Sequence, residues 1–194
     1  MKTEVHAIIH EEDFLEYWAY SARPAKGLLY ITHNNHEFIS GHVRMRGKDE
    51  GRYPYNYLEM IDNLFGHEPN TIEVCSGSVT DAIMTVDLKD WYLKDESPRT
   101  CTHYTMDSEK LASLQSNKFN RWRCDPPYNE KTSKEMYGCE LPSFSKLLTA
   151  GARVCKVGAL MFFLLGPTNY QFCPEGVKRI GLVFISVVPN NEIR

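Results

Sequence analysis

The chain reads as an α/β protein with a mostly parallel central sheet, and three observations predict it. Strands expected near 72, 83, 102, 120, 160 and 182 are joined by connections too long for hairpins. Helical periodicity marks the clearest of the intervening segments, at 55–65 and from Pro142 onward. Successive strands also end in acids or small residues: Glu73–Gly77, Asp87, Asp107 and Asp125. In a parallel sheet those ends share the carboxyl edge, where such folds bind ligands.

Bulk properties narrow the classes. The 194 residues suit a main domain at 51–194 behind a small N-terminal extension at 1–50 made of a helix, a short strand and a basic loop. A net charge of −3 excludes a global basic field, so any polyanion site must be local. Six cysteines without a Cys-x-x-Cys pair read as reduced, buried thiols of a cytoplasmic protein. The N-terminus lacks a signal-peptide core, and the apolar run Ala159–Leu165 is too short to span a bilayer, so no membrane partner is expected.

In order along the extension, residues 11–20 predict a helix with Phe14, Leu15 and Trp18 on one face. Leu28–Ile31 predicts a short strand. His33, His36 and His42 lack the cysteine or acidic partner of a zinc pattern, so a polar loop is expected and no metal. Residues 40–56 are rich in glycine and arginine and read as a loop. Its cations Arg44, Arg46, Lys48 and Arg52 are solvated or contact phosphates. Pro54 opens the helix 55–65, and Gly66 ends it.

Thr71–Ser78 is a strand running into a small-residue turn, and Ala82–Asp87 is the next strand. Only residues 78–81 are left for the crossover, so either its helix is reduced to a turn or Asp87 is not a ligand-binding acid. Cys101–Asp107 is the third strand, 108–114 a short helix and Phe119–Cys124 the fourth strand. Residues 129–138 read as a mobile polar loop. The helix from Pro142 puts Phe144, Leu147, Leu148, Gly151, Val154 and Cys155 on one face and stops at Gly158. Ala159–Leu165 is expected as a strand buried on both faces, and Ile180–Val188 as the last strand of the same sheet.

The chemistry concentrates in Asp125-Pro126-Pro127-Tyr128. Asp125 supplies a carboxylate acceptor and Pro126 a carbonyl, while the prolines fix φ and remove donors. Tyr128 adds a flat face. This set suits an exocyclic amine on a planar base, donating both protons while its ring stacks on Tyr128. A Pro-Pro turn with Tyr128 packed for bulk is the plain structural alternative.

Asp-Pro-Pro-Tyr closing a strand resembles the catalytic motif of amino-methyltransferases that use S-adenosyl-L-methionine (SAM), above all adenine-N6 DNA methyltransferases. The likeness spans about 51–188. It implies a Rossmann-like SAM-dependent methyltransferase fold and methyl transfer to a nucleobase amine, adenine N6 in DNA first. Catalytic roles then fall to Asp125, Pro126, Pro127 and Tyr128. Glu73, Cys75 and Gly77 resemble the first SAM motif, although Val79 stands where a second glycine is common. Asp87 would meet the ribose and Asp107 the adenine of SAM, and Tyr53-Pro54 loosely resembles the motif contacting its methionine part. Arg44, Arg46, Lys48, Arg52 and Lys131 would hold phosphates, with Lys118, Arg121 and Arg123 as further cations unless they pair with acids. No insertion before Asp125 could carry a recognition domain, so sequence selectivity is expected to be weak or to come from the N-terminal segment, a homodimer or a partner. DNA is the favoured substrate. RNA methylation at adenine N6 or guanine N2, and a non-catalytic nucleic-acid-binding or scaffold domain, are the alternatives. Little dependence of rate on pH near neutrality is expected.

Overall fold

A computed structural model describes residues 4–7, 29–33, 36–46, 53–91, 101–165 and 172–188. The first elements are strands β1 (Glu4–Ala7), β2 (Leu29–His33) and β3 (His36–Arg46), then helix α1 (Tyr57–Phe65). Strands β4 (Thr71–Val74), β5 (Met84–Asp87) and β6 (Thr102–Thr105) follow, with a 3-10 segment at Ser108–Ser113. Next come β7 (Phe119–Cys124), a helical turn α2 (Glu130–Thr132) running into a π turn (Ser133–Tyr137), and α3 (Phe144–Val154). Strands β8 (Cys155–Phe163) and β9 (Gly181–Val188) complete the order. The elements divide between two compact units, 1–67 with 178–194, and 68–177.

The first unit holds a four-stranded sheet in the order β1-β2-β3-β9. β2 and β3 are antiparallel, with His33 opposite His36. β3 pairs with β9 in parallel from Ile39↔Gly181 to Arg46↔Val188. Two expectations change here. Residues 40–46 are strand rather than loop, because the ladder to β9 satisfies the backbone that Gly41 alone would leave loose. The apolar run at 181–188 is a strand, but it joins β3 instead of the main sheet. The expected helix at 11–20 and the cations Lys48 and Arg52 lie outside the described residues. In α1, Met60 and Ile61 are buried on one face, and Gly66 stops the helix at φ 78, a conformation that favours glycine.

The second unit is built on a five-stranded, all-parallel sheet in the order β6-β5-β4-β7-β8. One face is apolar: Ile72, Val74, Met84, Val86, Trp122 and Cys124 pack with Leu111 of the 3-10 segment and Leu147, Leu148 and Val154 of α3. Burying each such aliphatic side chain contributes about 1.5–3 kcal/mol. The alternate positions form a polar, equally buried face with Thr71, Glu73, Thr85, Arg121 and Arg123.

Gly151 lets α3 lie flat on that apolar face. A Cβ there would stand 2.7 Å from Trp122 Cε2 and 2.9 Å from Met161 Cε. Glu109 of the 3-10 segment caps α3 by accepting from the Ser143 N–H, and Lys146 pairs with the same carboxylate at 3.2 Å. At the other end Arg153 donates to the carbonyls of Leu111 and Leu114.

Three further expectations are corrected in this unit. α3 ends at Val154 and β8 begins at Cys155 with no loop, so Gly158 lies inside the strand, at φ 83. β8 is an edge strand, so residues 159–163 are half-buried rather than covered on both faces. Residues 130–137 are helical rather than loop, started by the Asn129 side chain accepting from the Thr132 N–H at 2.9 Å. The crossover from β4 to β5 carries no helix, and the turn at 75–83 replaces it.

Candidate active site at the carboxyl edge

Parallel register decides what meets at this edge. Val74 lies opposite both Val86 and Cys124, and Val86 opposite Tyr104, so four neighbouring strands end together. Cys75 and Gly77, Asp87, Asp107 and Asp125 therefore fall along one edge.

The turn after β4 is held from outside itself. Cys75 has φ 50, a left-handed conformation that costs a residue with a Cβ roughly 1–2 kcal/mol. Its N–H donates to Ser108 Oγ at 3.3 Å. The Ser76 N–H donates to the Val86 carbonyl at 3.2 Å, and the Gly77 N–H to Asp87 Oδ2 at 2.9 Å. The Ser76 hydroxyl is buried and has no hydrogen-bond partner among the described residues.

Asp87 is the hub of this corner. Besides Gly77 it accepts from the Lys89 N–H at 3.3 Å and from Trp91 Nε1–H at 3.0 Å, both on Oδ1. Asp107 caps the 3-10 segment by accepting from the Glu109 N–H at 2.9 Å and pairs with Lys110 at 3.2 Å.

Glu73 stands apart from the edge. Its side chain is 0% exposed, points into the polar face and accepts from Arg123 Nε at 2.7 Å. Arg123, itself 2% exposed, forks its other end onto Asp81 at 2.6 and 3.1 Å. The cation on β7 thereby ties β4 to the turn that follows it. Arg121 is also buried, beside the Phe162 ring at 5.5 Å, so neither arginine is placed for phosphates.

The turn after β7 holds the tetrapeptide. Pro126 is buried and Pro127 half-buried, while Tyr128 is 43% exposed. Tyr128 Oη–H donates to Asp125 Oδ1 at 2.7 Å. Asp125 keeps some exposed surface, yet the density of protein around it pushes its carboxyl up to about 7, against the opposing pull of the Tyr128 hydrogen bond. Burial pushes the adjacent Cys124 thiol well above its ordinary value, and its hydrogen bond with Cys75 adds to that. Lys131 is exposed on α2, just past Tyr128.

Tyr53 and Pro54 belong to the other unit. There Tyr53 is buried and stacks on Tyr57 at 4.7 Å, and the Pro54 carbonyl accepts from the Tyr57 N–H at 3.1 Å. Arg44 and Arg46 lie on β3, opposite Ser186 and Val188. Sequence reasoning missed Ser76, Asp81, Trp91, Ser108 and Tyr137. Only Trp91, four residues beyond an edge acid, carried a signal: a large aromatic inside an otherwise charged loop.

Compared with known proteins, the chain matches no family model, no curated protein and no solved structure.

Proposed function

We propose that the second unit is a Rossmann-like methyltransferase that uses SAM to methylate the exocyclic amine of a nucleobase, adenine N6 in DNA first. One observation carries this reading. The acceptor cluster at 125–128 and the strained turn at 75–77 close adjacent strands in parallel register, about 4.8 Å apart in the sheet. A methyl donor seated on the β4 turn is then within reach of an amine seated on the β7 turn.

The residues at 75–77 fit such a cofactor. A close-approach turn, a buried hydroxyl lacking a partner and a carboxylate on the next strand are groups that a sugar and a charged amino acid moiety satisfy. Bound SAM would supply an electrophilic methyl group. Ser76 and Asp87 would hold it, with Asp107 at the far side of the edge. Glu73 acts through Arg123, fixing the turn instead of touching the cofactor.

On the acceptor side, Asp125 and the Pro126 carbonyl would each accept a hydrogen bond from the amine, and the ring would stack on Tyr128. Oδ2 is the oxygen that Tyr128 leaves for the amine. With Oδ1 taken by Tyr128, a proton on Oδ2 would remove that acceptor, and Asp125 sits near 7. The flat pH dependence expected from sequence therefore gives way to a kcat/KM that rises with pH through about 7 and then levels off. A target within a duplex must also be flipped out, at a cost of a few kcal/mol.

The test is transfer of a labelled methyl group from SAM to unmethylated duplex DNA and, in parallel, to structured RNA. Asp125→Ala should lower transfer roughly 10²-fold or more while SAM binding is retained. Transfer to RNA alone moves the substrate to adenine N6 or guanine N2 of RNA. Absence of both SAM binding and transfer leaves a non-catalytic domain.

A further inference from the structure

The segment after the tetrapeptide leaves the end of β7 and is fastened at the end of β5, with β4 between them. Two contacts make the fastening, and a third braces the anchor itself. Lys89 Nζ donates to the Tyr137 carbonyl at 2.6 Å. The Trp91 and Tyr137 rings meet edge to face, with centroids 5.7 Å apart. Lys89 Nζ also lies 5.4 Å from the centroid of the Trp91 ring. Gly138, at φ 65, turns the chain directly after this contact. The segment is stiffened within: Ser133 is buried, its Oγ donates to the Cys139 carbonyl at 3.0 Å, and its own carbonyl accepts from the Cys139 N–H at 3.2 Å.

We propose that residues 129–138 form a strap across the carboxyl edge, latched by Lys89 and Trp91 onto Tyr137, which opens and closes over a ligand lying between the β4 and β7 turns. Both anchors sit at strand carboxyl ends, so the strap crosses the end of β4, where the turn at 75–77 lies. Two features make the latch the part that yields. Lys89 and Tyr137 meet at an exposed hydrogen bond, whereas Ser133 stays buried, so opening hinges within the π turn. Trp91 joins the latch to Asp87, and Asp87 holds the Gly77 N–H. Occupancy of the turn and closure of the strap thus share one carboxylate. The device does not depend on which ligand binds, and only the cofactor part of its test rests on the methyl-transfer reading.

Limited tryptic digestion of the full chain reads the strap directly, because Lys131 and Lys134 lie on it. Lys89→Met, at an exposed position, removes the donor, and Tyr137→Ala removes the ring contact. Each should speed nicking after Lys131 and Lys134 roughly tenfold or more, with the melting midpoint and the cleavage after Lys156 unchanged. Unchanged nicking overturns the latch. Equal acceleration at every site with a lowered midpoint also overturns it, since that is global unfolding. With SAM as probe, the same variants should raise its association and dissociation rates together. Faster nicking with unaltered SAM rates overturns the claim that the strap covers the ligand. If SAM does not bind at all, the methyl-transfer reading falls while the digestion still decides the latch.

Discussion

The turns after β4 and β7 lie side by side, yet they are held in different ways. The β7 turn carries its own constraint, because Pro126 and Pro127 fix φ covalently and Tyr128 bonds back to Asp125 three residues away. The β4 turn has no such residues. Its shape is imposed from β5 through Asp87, from the 3-10 segment through Ser108, and from β7 through Arg123 and Asp81. A self-held turn tolerates changes elsewhere, whereas a borrowed one fails when its supports do.

Removing the strongest support is expected to have the largest effect. Arg123→Met leaves Glu73 buried without its guanidinium and frees Asp81, at a cost of about 3–5 kcal/mol. Urea unfolding would read it, and a loss below about 1 kcal/mol would show that the ion pair does not hold the turn. Next comes Asp125→Ala, expected to lower methyl transfer by roughly 10²–10⁴ while leaving SAM affinity near wild type. Equal loss of SAM affinity would place Asp125 at the cofactor instead of the acceptor.

Asp87→Asn tests the borrowed turn more gently. Weakening one hydrogen bond should cost about 1 kcal/mol and speed hydrogen exchange at the Gly77 amide, with Tyr128 unmoved. Matching acceleration at both amides would mean the two turns are not independent.

A separate effect, on stability against pH, concerns the charge of Asp125. Its carboxyl ionises near 7 in the folded chain, against an ordinary 3.8, so the folded state holds more protons than the unfolded between those values. Stability contributed by this group is present below about 4 and is lost as pH rises to about 7. Asp125→Asn should therefore melt higher than wild type at about pH 8, by roughly 2–4 °C for each kcal/mol recovered. The gap should close near pH 4. A gap that widens on acidification would contradict the raised value.

The same contrast explains what was legible in the sequence. Asp125 to Tyr128 announced a rigid acceptor cluster because local chemistry alone defines it. The strands at 71–74, 84–87, 102–105 and 119–124 were legible from β-branched and aromatic residues and the acids or small residues that close them, and the helical segment after Asp107 was also expected. Partner choice was not. Apolar residues at 181–188 specify a strand, but pairing with β3 depends on residues more than a hundred positions away. Glu73 looked like a ligand-binding acid because a one-dimensional pattern cannot reveal that Arg123 stands opposite it. Trp91 and Tyr137 were invisible as a pair for the same reason.

The junction between α3 and β8 carries a mechanical consequence. Val154 closes the helix and Cys155 opens the strand, so no slack separates them. Adding or deleting one residue there would rotate Met161 and Phe163 out of the interior and turn Phe162 inward, because neighbours along a strand face opposite ways. Insertions elsewhere on the surface have room to bulge; at this joint they would miswire an entire edge of the sheet.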